Sequence, residues 1–76
     1  MENLLLTIIQ ALVDNPKDVA VKQLKSGSIK IFEINANKGD IGKIIGKKGR
    51  TIDSVRTIFT AIAAKEKSRV TIELVD

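Results

Sequence analysis

The sequence contains no cysteine and no histidine. The absence of cysteine excludes a disulfide framework. Because cysteine and histidine are both absent, the chain also lacks the common zinc ligands, thiol nucleophiles and imidazole bases. The carboxylates are scattered singly along the chain, and each is expected to be solvated: Asp14, Asp18, Glu33, Asp40, Asp53, Glu66 and Glu73. We therefore predict no catalytic constellation, no metal site and no bound cofactor.

Aromatic side chains and long apolar runs are also scarce. The 76 residues include two phenylalanines, Phe32 and Phe59, and neither tryptophan nor tyrosine. Proteins that stack bases on exposed aromatics gain ~1–3 kcal/mol per base, and this chain is poorly equipped for that mode of binding. The apolar stretches of the chain are far shorter than the ~20 residues that a helix needs to cross a bilayer. No basic segment or cleavage site follows Met1, so we expect a cytoplasmic protein without a signal peptide or membrane insertion.

Positive charge is concentrated in one short segment. The chain has 13 basic and 9 acidic residues, a net charge of +4. Between Lys38 and Arg50, five basic residues stand against the single acid Asp40, so this segment alone carries a charge of +4. The rest of the chain is balanced. Such an excess indicates where an anionic partner would bind.

Hydrophobic spacing and turn residues predict six elements in the order α-β-β-α-α-β. Asn3 and Asp40 are the expected caps of the first and second helices, Pro16 follows the first helix, and Gly27 lies in a hairpin turn. The predicted elements are a helix over 3–14, strands over 19–24 and 29–35, helices over 41–45 and 50–67, and a strand over 69–74. We predict an α+β fold in which residues 1–76 form one domain, with helices packed on one face of a three-stranded sheet.

One loop, Gly46-Lys47-Lys48-Gly49, combines two glycines with two lysines. Glycine at each end permits a positive φ and lets another backbone approach closely. The loop leads directly into a helix, whose first N–H groups are unpaired and whose dipole is positive at that end. Together with the lysines, these features predict a cradle for the phosphates of a nucleic acid.

Other glycine motifs fit the spacing less well. A Walker A loop requires GxxxxGK[ST], but Gly42 and Gly46 are one residue too close, and Lys48 stands where Ser or Thr would bind Mg²⁺. A dinucleotide-binding GxGxxG motif is incomplete because Ile44 replaces its first glycine. A tight connection between two helices, with solvated lysines, remains an alternative to the phosphate cradle.

The run Ile-Ile-Gly-Lys-Lys-Gly-Arg-Thr-Ile, residues 44–52, resembles the signature of KH domains. In that family a GxxG loop clamps about four single-stranded nucleotides. The order of elements resembles the type II, bacterial arrangement, and the sequence from Leu12 to Val19 is similar to that of small bacterial KH proteins of the KhpA (YlqC) family. The resemblance implies a cytoplasmic protein that binds single-stranded RNA and acts as an RNA chaperone. It also implies a larger KH-domain partner, KhpB, and a role in controlling cell elongation and peptidoglycan homeostasis.

The predicted RNA site consists of the loop and its flanks. Phosphates are expected at Gly46, Lys47, Lys48, Gly49 and Arg50, with Lys38 and Lys43 either as long-range attractors or as ordinary solvated side chains. Bases are expected in an aliphatic groove lined by Ile44 or Ile45, by Ile52 and by Val55. The second strand, around residues 29–34, is the expected opposite wall.

Several side chains near this site have other interpretations. Ile52 could line the groove, join the core or face a second subunit. Phe59 is predicted to lie in the core, whereas Arg56 and Arg69 are predicted surface residues.

Binding is expected to be weak, tolerant of sequence and strongly dependent on salt. Because one GxxG loop contacts few nucleotides and small domains gain stability by pairing, we expect a homodimer or a heterodimer with KhpB. The alternative function is a protein-interaction adaptor that dimerises with another KH protein, with RNA binding secondary.

Overall fold

The structure, a computed structural model, describes residues 1–75. It confirms the predicted order of elements. The helices and strands are α1 (Glu2–Leu12), β1 (Ala20–Ser26), β2 (Ile29–Asn35), α2 (Ile41–Ile45), α3 (Arg50–Lys65) and β3 (Arg69–Val75). Three single 3-10 turns complete the fold: Pro16–Asp18, Lys38–Asp40 and Lys47–Gly49.

The sheet places β2 between β1 and β3. β1 and β2 form an antiparallel hairpin, and Gly27 in its turn has a φ of +62°, a conformation that favours glycine. β2 and β3 are parallel, so the chain has to cross from one end of the sheet to the other between them. The segment containing α2 and α3 makes this crossover, which brings the loop between these helices to one end of the sheet.

The core lies between one face of the sheet and the helices. Alternate side chains of a strand point to the same face, and those of β2 at Phe32 and Ile34 are buried there. The helices contribute Leu5 and Ile9 from α1, Ile44 from α2, and Ile52, Val55 and Phe59 from α3. Burying one such side chain contributes about 1.5–3 kcal/mol. The prediction that Phe59 belongs to the core is confirmed, since it is fully buried.

The first helix begins earlier and ends earlier than predicted. Met1, and not Asn3, is its N-terminal cap, and the Leu5 N–H donates to the Met1 carbonyl at 3.1 Å. The Asn3 carbonyl instead accepts a hydrogen bond from the Thr7 hydroxyl at 2.9 Å. The helix ends at Leu12 because Val13 is extended, with φ −114° and ψ 162°.

The third helix ends at Lys65, two residues before the predicted end. The Ser68 N–H donates to the Ala63 carbonyl at 2.9 Å, and the Lys67 N–H donates to the Ala64 carbonyl at 3.0 Å. Lys67 has a φ of +58°. This is a Schellman motif, in which a left-handed residue closes the helix; it is usually glycine and here it is lysine.

Asp40 contradicts its predicted role as a solvated cap. The residue is 1% exposed, and its side chain makes no capping hydrogen bond to α2. The carboxylate instead accepts hydrogen bonds from the Asn15 N–H and side-chain amide, both at 3.0 Å, and from the Asp14 N–H at 3.3 Å. Burial acts to raise the pKa of Asp40, but these hydrogen bonds and the Lys43 ammonium outweigh it and lower the pKa below its usual value.

This contact fixes the position of α2. A helix of five residues is not stable by itself, and Ile44 is the one residue of α2 that is fully buried. Asp40 immediately precedes α2 and ties it to the connection between α1 and β1. The burial could not be predicted from sequence spacing because the hydrogen-bond donors lie 25 and 26 residues away.

Candidate nucleic-acid interface

Gly46 adopts a conformation that other residues avoid. Its φ and ψ are 78° and 178°, and its N–H donates to the Gly42 carbonyl at 2.9 Å at the end of α2. A Cβ on Gly46 would lie 2.1 Å from the Thr51 Oγ1 atom and 2.5 Å from the Thr51 Cβ atom. Glycine is therefore required here both for its backbone conformation and for its close contact with the first turn of α3.

The loop is completed by two consecutive left-handed residues. Lys48 has φ 57° and ψ 29°, and Gly49 has φ 75° and ψ 9°. The Gly49 N–H donates to the Gly46 carbonyl at 3.2 Å, so the four residues form a closed turn. A lysine with positive φ is uncommon, and residues held in such conformations cluster at functional sites.

The loop presents positive charge and backbone donors at the same place. Lys47 and Lys48 are exposed, and so is Arg50 at the start of α3. Three ion pairs occur among residues 1–75, and none of them involves these three side chains. The N–H groups of Lys47 and Lys48 open the 3-10 turn, where the first N–H groups have no partner within the turn. The positive end of the α3 dipole adds to this field.

Lys43 differs from the loop lysines because acidic side chains hold it. Its ammonium forms an ion pair with Asp14 and lies 3.9 Å from Asp40. The hydrogen bond to Asp14 raises the pKa of Lys43, and although burial opposes this effect, the net change is upward. Lys43 is therefore neither freely solvated nor an uncompensated charge, which weakens its role as a long-range attractor of phosphate.

The isoleucines that flank the loop have different exposures. Ile44 is fully buried and Ile52 is 5% exposed, so neither offers surface to a ligand, contrary to the predicted groove. Val55, also 5% exposed, lies in the same core cluster. Ile45 is 37% exposed and is the flanking isoleucine that a base could touch. The buried side chains of Ile44 and Ile52 hold α2 and α3 in the core and so fix the two helices that flank the loop.

β2, the predicted opposite wall of the groove, is the central strand of the sheet, with a neighbour on each side, so it could line a groove only with its face and not with an edge. Phe32 and Ile34 of this strand are buried, whereas residues 29–31 are half-buried. The strand with a free edge beside α3 is β3. A furrow between α3 and β3 is lined by Arg56, Thr60, Val70, Thr71 and Ile72.

Arg56 has a definite place in this furrow, although the sequence predicted only a surface residue. Its Nε–H donates to the Ile72 carbonyl at 3.2 Å, and its guanidinium lies 3.5 Å from the Asp53 carboxylate. These contacts cover part of the β3 edge. Sequence reasoning missed Arg56 because the contact joins a helix to a strand 16 residues away.

The element order, the parallel β2–β3 pair and the glycine loop between α2 and α3 define the molecule as a KH domain. More particularly, the chain belongs to the KhpA/KhpB KH-domain family, whose family model matches residues 2–74. Curated relatives that match the chain are named RNA-binding proteins, and the family is not enzymatic.

Relatives in several bacteria match over nearly their whole length. The RNA-binding protein KhpA of Chlamydia trachomatis is 40% identical over 76 residues, covering 100% of this chain and 97% of that protein. KhpA of Caldanaerobacter subterraneus is 43% identical over 75 residues, covering 99% of this chain and all of that protein. KhpA of Listeria monocytogenes is 32% identical over 76 residues, covering both chains completely. No solved structure matches the chain.

Among residues 1–75, no helix is both long enough and apolar enough to cross a membrane.

Proposed function

We propose that this protein binds single-stranded RNA by holding phosphates at the Gly46–Gly49 loop. The observation that carries the proposal is the geometry of the loop, where two exposed lysines without ion pairs lie in a turn that contains the left-handed residues Lys48 and Gly49 and leads into α3. Phosphates are expected at Lys47 and Lys48, at the N–H groups of the turn, and at Arg50. The family membership and the names of the relatives support RNA as the ligand.

The apolar surface near the loop supports backbone binding more than base reading. Ile45 offers a small aliphatic contact, and both phenylalanines are fully buried, so no aromatic side chain is available for stacking. We therefore expect weak affinity and little preference among bases. Affinity should fall steeply with salt because the phosphate contacts release counterions.

Exchanging the loop lysines tests this function. The double variant Lys47→Asp/Lys48→Asp should lose most of its affinity for a single-stranded RNA, and the slope of log K against log salt should shrink by about 1.4, at ~0.7 for each lost phosphate contact. Lys17→Asp/Lys22→Asp is the matched control, with the same change of charge on exposed residues outside the loop. Unchanged affinity and slope in the loop variant would rule out the cradle.

At the cellular level we propose a cytoplasmic RNA chaperone that acts with KhpB in post-transcriptional control of cell elongation and peptidoglycan homeostasis. The support is membership of the KhpA/KhpB family. Crosslinking the protein to RNA in living cells and sequencing the fragments tests this role. Recovery of cell-envelope transcripts is the expected result, whereas an absence of crosslinked RNA would favour the adaptor function.

We also propose that the protein pairs with a second copy or with KhpB. Two apolar side chains on helices, Leu4 at 47% and Ile58 at 50% exposure, are surface that association could cover. Sedimentation equilibrium tests the homodimer, and a monomer at tens of micromolar would argue against it.

A further inference from the structure

A second cluster of cations lies at the end of the molecule opposite the loop. We name it the basic end, and it consists of Lys25, Lys30, Lys65, Lys67 and Arg69. The hairpin register sets Lys25 opposite Lys30, and the parallel register sets Ile29 opposite Arg69. Lys65 is the last residue of α3, and Lys67 lies in the turn that leads to β3. Residues far apart in sequence are thus brought to one end of the sheet.

The charge of the basic end matches that of the loop segment. Its five cations are accompanied by one acid, Glu66, which leaves a formal charge of +4. Because the whole chain also carries +4 and the segment Lys38–Arg50 accounts for another +4, the remaining residues sum to −4. The excess positive charge is therefore divided between the loop segment and the basic end, and the other residues carry a net negative charge. None of the ion pairs among residues 1–75 involves a cation of the basic end.

The pair of Lys25 and Lys30 is unfavourable for the sheet by itself. Like charges directly opposite each other on neighbouring strands are destabilising. A lysine on the edge strand β1 has a structural reason, since it discourages pairing with another chain. That reason does not apply to Lys30, which is half-buried on the central strand. An anion bound at the basic end would relieve the repulsion.

A surface path leads from the loop side of the molecule to the basic end. α3 has 16 residues, which corresponds to a length of ~24 Å. The furrow between α3 and β3 begins at Arg56 and continues past Thr60 and Val70 into a depression that reaches Ser68 and Arg69. A single-stranded RNA that is held at the start of α3 and lies along this furrow would reach the basic end.

We propose that the basic end binds phosphates of the same single strand that the Gly46–Gly49 loop holds. The length of RNA that the protein contacts then exceeds the roughly four nucleotides that a KH loop holds. This proposal rests on the proposed function, because it requires the loop to hold the RNA first.

An oligonucleotide length series tests the proposal. Affinities would be measured for oligouridylates of about four, eight and twelve nucleotides, lengths within the range of single-strand binding sites. The test variant is Lys30→Gln/Lys67→Gln, and the matched control is Lys17→Gln/Lys22→Gln, which removes the same charge outside both the loop segment and the basic end. For the longest oligonucleotide, the test variant should bind roughly 20-fold more weakly than the control at ~0.1 M salt, with a salt slope smaller by about 1.4. The two variants should bind the shortest oligonucleotide equally.

The outcomes separate this proposal from the proposed function. If the test variant and the control behave alike at every length while Lys47→Asp/Lys48→Asp abolishes binding, the basic end is not a binding surface but the loop mechanism stands. If the loop variant also binds normally, both proposals are wrong.

The thermal unfolding midpoint of Lys30→Gln should equal or exceed that of the parent, because the substitution removes a repulsive pair. A loss of affinity with an unchanged or higher midpoint therefore supports binding, whereas a parallel loss of stability and affinity at every length overturns the proposal.

Discussion

Replacing Gly46 by alanine should destabilise the protein by about 2–6 kcal/mol. Two costs contribute. An alanine forced to φ 78° and ψ 178° has a backbone strain of roughly 1–3 kcal/mol. The new Cβ would lie 2.1 Å from the Thr51 Oγ1 atom, and relieving such a clash in packed surroundings costs about 1–3 kcal/mol.

This loss is large for a domain of this size. At 0.05–0.15 kcal/mol per residue, 76 residues give a total stability of about 4–11 kcal/mol. Each kcal/mol lowers the unfolding midpoint of such a small domain by about 4–8 °C, so the variant should melt at least ~8 °C below the parent. Urea unfolding followed by far-UV circular dichroism is the assay, since the chain has no tryptophan to report by fluorescence.

Two other glycines provide matched controls. Gly42 lies in α2, and a Cβ added to it would meet no atom of another element within 4 Å, so Gly42→Ala should stabilise the protein by about 0.5–1 kcal/mol. Gly49 is left-handed, and a Cβ added to it would make only an ordinary van der Waals contact, 4.0 Å from an Asp53 carboxylate oxygen, so Gly49→Ala should cost roughly 1–2 kcal/mol from strain alone. The expected order of stability is Gly42→Ala, parent, Gly49→Ala, Gly46→Ala. A Gly46→Ala variant as stable as the parent would refute the loop geometry.

The core and the buried carboxylate give two further predictions. Phe59→Ala should lower the free energy of unfolding, measured with urea, by about 3–5 kcal/mol because Phe59 is fully buried. Ile58→Ala, at a half-exposed neighbour, should lower it by less than ~1 kcal/mol, and equal losses would contradict the assigned faces of α3. The pKa of Asp40 is lower in the folded state, so its contribution to stability is fully present above its ordinary value of 3.8 and is lost as pH falls through the folded pKa. Between about pH 4 and pH 2 the parent should therefore lose more stability than Asp40→Asn, and identical acid profiles would show that Asp40 is not the titrating group.

The arrangement of elements could be predicted because each element carries a local signal. The spacing of Leu5 and Ile9 marks a helix, and the alternation of Val70, Ile72 and Leu74 marks a strand. The glycines of the loop likewise signal positive φ, and both Gly46 and Gly49 have it. These features depend on neighbours in sequence, so a single chain is enough to find them.

Features that depend on tertiary contacts were not predictable in this way. The sequence shows Asp40 and Lys43 as ordinary charged residues, and only the fold brings them to Asp14 and Asn15. Ile52 was ambiguous because periodicity gives the face of a helix but not what covers that face. The basic end was hidden for the same reason: the hairpin and the crossover assemble it from lysines that are separated by more than thirty residues.

The central claim is that the Gly46–Gly49 loop grips the backbone of single-stranded RNA. Titrating the isotopically labelled protein with a short oligouridylate and following its backbone amide resonances by NMR tests this claim most directly. The largest shifts should fall on the amides of Lys47, Lys48, Gly49 and Arg50, and they should diminish as salt is raised. If those four amides stay unperturbed while RNA binds, with shifts confined to other parts of the protein, the claim is wrong.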